Sequence, residues 1–404
     1  MENLVTPTNH IDQPTVATKS STVLGARIDS IDILRGLIIL IMMLDHVRER
    51  FFMHSPTGDP IYDTVSPELY FTRYITHFCA PIFIFLAGMS AWLYAHPANG
   101  QFRSPSSFLF KRGLVLVLFD VVLYNALWID LGYNTIWLQV LWAIGISMIG
   151  LSLVCRMNIW LIGTLGLLIV FGHDAIKPAD LVPGDFAFTF LTVLFQNNFI
   201  GEIVGIKIKA SYPVFAWFGV ILVGYCAGQL YARTTAANVR QKVLLTMGIV
   251  ALLIMLVLRG FNLYGEALPW SVQESALASL MSFLNFSKYP PSLNYVLITV
   301  GFGCLLLVLF ERLQQKAAIP LGALKTFGSA PMFVYFAHLY LLLAAYWILF
   351  AIFGATHGER FGLASVSMLW LGAATLTVGL YIPTKKFALY KHKHKREKPW
   401  LSYL

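Results

Sequence analysis

The sequence predicts an all-α, polytopic integral membrane protein with about ten transmembrane helices and both termini on the cytoplasmic side. Three observations predict it. Of the 404 residues, 57% are hydrophobic and only 12% are charged, about half the charged share of a soluble domain. Ten apolar runs follow one another along the chain, to be judged against the roughly 20 residues a helix needs to cross a bilayer. With the N-terminus placed inside, nineteen Lys and Arg fall in cytoplasmic segments and nine in outer loops, the bias that orients membrane proteins. The net charge of +9 therefore belongs to loops and tail, and it does not indicate a nucleic-acid partner.

Residues 1–28 are polar and rich in Ser and Thr, and they read as a disordered cytoplasmic tail. They lack the basic-then-apolar pattern of a secretory signal. Residues 29–385 form one membrane domain. Its spans are expected near 31–51, 72–95, 107–129, 134–155, 158–173, 212–231, 241–264, 290–310, 328–353 and 362–383, the fifth being the shortest. The outer connection 174–211 holds a further apolar stretch within DFAFTFLTVLFQNNFIGEIVGIKIKA. Counting it as an eleventh span would put the strongly basic tail outside, so it reads as an interfacial or re-entrant helix. Together with 52–71 and 262–289 it is expected to roof a site on the outer face. Residues 386–404 end the chain as a basic cytoplasmic tail suited to anionic lipid. His392 and His394 lie among lysines there, whose charge argues against a metal site. Cys79, Cys155, Cys226 and Cys304 fall in separate apolar runs without paired spacing and read as small buried hydrophobes. No internal repeat is apparent, nor the matched pair of broken helices common in transporters.

The first apolar run carries charges that a passive span does not need. Arg35 lies inside one end and Asp45–His46 at the other, and such groups are costly within hydrocarbon. Arg35 and His46 are eleven positions apart, which places them within about 20° of one helix face and about 16 Å apart along it. A guanidinium and an imidazole so placed can hold the two ends of one long ligand. The plainer alternative is that Arg35 reaches out to headgroups and His46 finishes an interfacial helix end. Asp32, one turn before Arg35, either pairs with it or, like Asp29, caps the helix start. His77 and His338, each flanked by apolar residues, read as interhelical ties, with His338 near mid-membrane the better placed to support a site. Asp120 at bilayer depth requires a partner, and Asn125 lies close by to line the same cavity. Lys288 and Tyr289 precede a Pro-Pro pair at an outer helix start, where polar groups of an acceptor can bind.

Arg35, ten intervening residues and His46 resemble the R-x10-H signature of the membrane acyltransferase-3 enzymes. The longer string SIDILRGLIIL…LDH more closely resembles the heparan-α-glucosaminide N-acetyltransferase catalytic-domain family. So do HFCAPIFIFLAGMSAW (His77–Trp92), YPVFAWFGVILVGYCAG (Tyr212–Gly228), KYPPSLNYVLITVG (Lys288–Gly301) and FGSAPMFVYFAHLYLL (Phe327–Leu342). In shared order, the likeness runs from about Arg27 to the C-terminus.

The resemblance implies a transmembrane acyltransferase that moves an acetyl group from cytoplasmic acetyl-CoA to an amine or hydroxyl of a sugar on the outer side. It implies as partners an extracytoplasmic glycan or amino-sugar acceptor and the lipid of a bacterial inner (plasma) membrane. It implies no metal and leaves self-association open. Arg35, held by Asp32, would bind the donor phosphates, for which a planar guanidinium fork is suited. His46, His54 and Asp45 are the catalytic candidates, histidine having the pKa that suits a base at neutral pH. His338, Lys288, Tyr289 and His77 are candidates for contact with substrate. The family's human member has an asparagine where this chain has His46 and an essential histidine in the following loop, where His54 is nearest. It also has a Gln-Arg pair where this chain has Trp142–Ala143, so any acceptor contact made there is absent. The rival readings are a glycan O-acyltransferase, and a transporter or flippase using Arg35 and His46 as a substrate or proton path. Consumption of the thioester separates carrier from enzyme.

Overall fold

The computed structural model describes residues 29–52, 65–97, 100–129, 134–176, 185–314 and 318–403. Most of it is helix. The chain opens with α1 (Asp29–Phe51), which carries Asp32, Arg35, Asp45 and Arg48 and yet is buried along most of its length. It packs against α3 (Cys79–Ala95), α12 (Leu293–Leu313), α13 (Ala318–Ser329), α14 (Pro331–Phe353) and α15 (Val366–His394). A helix that is apolar nearly all round requires neighbours all round, and α1 has them.

Between α1 and α3 lies α2 (Pro67–Thr76), capped by the Ser66 hydroxyl on Leu69 N–H with proline in the first turn. After α3 come α4 (Ser106–Leu118), a π-helical turn over Phe119–Tyr124 and α5 (Asn125–Ile129). Then follow β1 (Thr135–Leu138), α6 (Val140–Val154), α7 (Ile159–Gly172), α8 (Phe186–Phe195), β2 (Asn198–Ile203), β3 (Ile206–Ala210), α9 (Val214–Ala227), α10 (Ala237–Gly260) and α11 (Ala276–Phe283). The helices α12 to α15 complete the fold.

Every one of the ten apolar runs lies largely on helix. Among the described residues six helices are long and apolar enough to cross a membrane: Pro67–Ala95, Val214–Tyr231, Ala237–Gly260, Leu293–Leu313, Pro331–Phe353 and Val366–His394. α6, α7 and α8 are apolar but shorter. Leu253, Leu256, Ile348, Ile352, Leu371 and Val378 are exposed on α10, α14 and α15, a surface suited to lipid and costly in water. The core lies inward of them, around Leu34, Ile39, Phe85, Trp217, Ile221 and Tyr295.

The structure departs from the all-α expectation in a small sheet of order β1-β3-β2, with β1 parallel and β2 antiparallel to β3. Residues 135–138 were expected inside the fourth span and 198–210 in an interfacial helix. Among the described residues of that connection, α8 is the α-helical part. The alternation Ile206-Lys207-Ile208-Lys209 has the period of a strand. Val204 and Gly205 take φ of 52° and 78°, the positive angles of a two-residue hairpin turn.

A second departure is α13, which occupies part of a stretch expected to be a cytoplasmic loop. It lies against α1 with backbones touching: a Cβ on Gly36 would sit 1.9 Å from the Leu324 carbonyl oxygen, and one on Gly328 1.8 Å from that of Asp32. Only glycine permits this approach. A third is the C-terminus. α15 runs on to His394 with Pro383 inside it, and a 3-10 turn at Pro399–Ser402 folds back onto α4. There Leu401 is fully buried, Tyr403 stacks 5.7 Å from Phe108, and the Ser402 carbonyl accepts from Arg112 at 3.3 Å. The end of the segment read as a basic tail is thus packed against the bundle.

Polar contacts gather one end of the bundle. Ser30 meets Tyr231 at 3.3 Å, Asp29 pairs with Lys325 at 2.6 Å, and Arg240 with Glu311 at 2.9 Å.

Candidate functional site

Arg35 is held from three sides. It pairs with Asp32 one turn earlier at 2.7 Å, donates to Ser90 Oγ on α3 at 2.9 Å, and donates to the Gly328 carbonyl at 3.3 Å. The last contact exists because the two glycines let α13 lie directly on α1. Beside Arg35 opens a cavity of about 290 Å³. Arg112 of α4 and Lys391 of α15 also line it, so three cations meet around its polar part. The rest of the lining is largely apolar, including Met42, Leu116, Met148 and Met332, and it includes Tyr335. Met42 lies two helical turns from Arg35 along α1, so the cavity leads from the cations toward the far half of that helix.

His46 lies one further turn along. Its ring meets Tyr335 edge-on, with centroids 6.0 Å apart. Its Nδ1 lies 2.6 Å from Nε2 of His338 on α14, and Nδ1 of His338 lies 2.6 Å from the Val334 carbonyl. A carbonyl only accepts, so His338 Nδ1 carries the hydrogen and its Nε2, in the neutral ring, is the acceptor. His46 must then donate from Nδ1, which leaves a lone pair on Nε2. The backbone thereby fixes the tautomer of both rings.

Beyond His46 lies a charged cluster. Asp45 pairs with Arg48 at 2.8 Å and with Lys288 at 3.8 Å. Burial works against the Lys288 ammonium, but Tyr289 and the Asp45 carboxylate outweigh it and hold it firmly charged. Tyr289 donates to the Tyr212 hydroxyl at 3.0 Å. The loop bearing Lys288 is fastened from below. Arg259, almost fully buried, donates to the carbonyls of Leu268, Ser282, Phe283 and Asn285. Glu266 accepts from Ser287 N–H and the Ser292 hydroxyl, and Asp174 caps α12 at Leu293 N–H.

The structure thus brings together Arg35 with Asp32, His46 with His338, and Asp45 with Lys288. Asp45 makes no hydrogen bond to the His46 ring, because consecutive helix positions point about 100° apart. His77 sits at the turn between α2 and α3, where its carbonyl accepts from Tyr295 at 2.7 Å. Its ring lies 5.7 Å from that of Tyr295, and neither ring nitrogen has a hydrogen-bond partner among the described residues. His54 lies outside the described residues. Asp120, whose partner was unnamed, accepts from Gln139 N–H at 2.8 Å, and Asn125 ties the same turn to Trp137 of β1. Sequence reasoning missed Arg112 and Lys391, which were counted among the charges of a loop and a tail. It also missed Tyr335. The signal for Lys391 was the unbroken helical pattern past Pro383.

A family model described as heparan-alpha-glucosaminide N-acetyltransferase, catalytic, matches residues 27–264. The chain belongs to this family. No curated protein matches the chain. The heparan-α-glucosaminide N-acetyltransferase match covers Arg35, Asp45, His46 and Arg112 and ends before Lys288, His338, Tyr335 and Lys391. It is therefore shorter than the likeness read through to the C-terminus. The family is one of acetyltransferases, and this member is a membrane protein by its apolar helices.

Proposed function

We propose that the protein transfers an acetyl group from cytoplasmic acetyl-CoA to an amine or hydroxyl of a glycan or amino sugar on the outer side of a bacterial inner membrane. The observation that carries the reading is one cavity, lined at its polar part by Arg35, Arg112 and Lys391 and walled by Tyr335, whose ring touches the His46–His338 pair. Phosphates suit the three cations, and a flexible pantetheine arm suits the apolar lining. The reading places ten spans across the membrane with both ends inside. It is supported by the cation bias and by the gathering of α1, α10, α12 and α13 ends on one side.

In this reading His46 Nε2 takes the proton from the acceptor as its nitrogen or oxygen attacks the acetyl carbon. His338 holds that lone pair in place, and its Nε2 accepts from the charged His46 ring. Lys288, Asp45 and Tyr289 meet the acceptor's polar groups. The test is the purified protein in vesicles with radiolabelled acetyl-CoA and glucosamine. Acetylated sugar and free CoA thiol should appear in equal amounts. Movement of label across the vesicle without release of thiol would make the protein a carrier.

A further inference from the structure

Tyr335 has a hydroxyl with no stated task in the fold. The residue is 4% exposed, and its hydroxyl has no hydrogen-bond partner among the described residues. Leaving a buried donor unmet is costly, so such groups are few in folded proteins. This one lines the cavity headed by Arg35. Its ring stands edge-on to both members of the histidine pair, at 6.0 Å from His46 and 5.9 Å from His338. Helix geometry fixes that position: Tyr335 and His338 are three apart on α14, and so neighbours on one face.

Resting on the reading above, we infer that Tyr335 donates its hydroxyl hydrogen to the carbonyl oxygen of the acetyl thioester and stabilises that oxygen as it becomes negative. The acceptor's lone pair forms a bond to the acetyl carbon, and the carbonyl pair moves onto oxygen, where the Tyr335 O–H receives it. His46 Nε2 takes the proton the acceptor loses. The carbonyl then reforms, the carbon–sulfur bond breaks, and the CoA thiolate leaves and takes the proton back from the His46 imidazolium. No oxidant or further reactant is needed. A donor that is present before reaction, in a site with little water, needs no rearrangement as charge develops.

The test is Tyr335→Phe in the full-length protein, which removes one oxygen and keeps the ring. The rate constant kcat should fall about 10²–10³-fold, the usual loss for one such donor. Binding of CoA, which has no acetyl carbonyl, should stay within twofold of the parent, as should the thermal midpoint within a degree or two. A kcat within threefold of the parent would overturn the inference. So would a variant that loses CoA binding or folds poorly, because the hydroxyl would then serve packing. Absence of acetyl-CoA consumption by the parent itself would instead remove the proposed function.

Discussion

His46 is a single imidazole whose two nitrogens are assigned different work by a backbone carbonyl two hydrogen bonds away. That assignment predicts the effect of replacing it. His46→Ala should lower acetyl transfer by about 10²–10⁴-fold, the usual contribution of a positioned base, while acetyl-CoA still binds; His54→Ala should retain measurable turnover. An inactive His54→Ala beside an active His46→Asn would reverse the two roles. Arg35 makes contacts in three directions with one planar group, and a lysine offers a point charge in its place. Arg35→Lys should therefore weaken CoA binding at least about tenfold, the value of one charge-assisted hydrogen bond, with folding preserved by circular dichroism. Equal affinity in parent and variant would leave Arg35 to the headgroups. Arg35 and His46 were legible because both lie on one helix, where spacing alone gives direction. His338 was named as a site residue, but its bond to His46 joins positions 292 apart, and no local pattern encodes that.

Helices in this protein are placed by small residues as much as by apolar ones. Gly36→Ala would drive a methyl into the Leu324 carbonyl. It should cost about 1–3 kcal/mol of stability, as overpacking does, and weaken donor binding as the Gly328 carbonyl moves from Arg35. Denaturation in detergent and a CoA titration would check both. The loop before α12 carries a different device. Burial raises the Glu266 carboxyl from 4.5 to about 7, so the folded loop holds the proton more tightly than the unfolded chain does. Its contribution is full below pH 4.5 and is lost as pH rises through about 7. The protection of residues 262–292 against hydrogen exchange, taken relative to the intrinsic rate at each pH, should fall across that window, and Glu266→Gln should flatten the dependence. Protection that is flat in the parent would show that Glu266 does not titrate there. The apolar helices were legible because hydropathy is a local property. The sheet and α13 were not, since a strand of four or five residues and a helix carrying lysine and glycine both resemble loop when read alone.

At the scale of the molecule, α1 is buried along most of its length against neighbouring helices, so the charged groups of the candidate site are enclosed by protein on most sides. The proposed orientation predicts that a reporter active only outside the membrane gives no signal when fused after Leu404. A strong signal there would reverse the direction of transfer. The apolar, helical character of the chain was legible from composition, because it is a sum over the whole chain. The joining of α4, α14 and α15 around one cavity was not, because it depends on contacts between distant segments. The turn at Pro399–Ser402 also has a practical side. Leu401 is buried and Ser402 rests on Arg112, a wall residue of the cavity. A tag or reporter joined at this end would follow directly on that contact. Turnover is therefore better measured on protein purified by a tag at the opposite end of the chain.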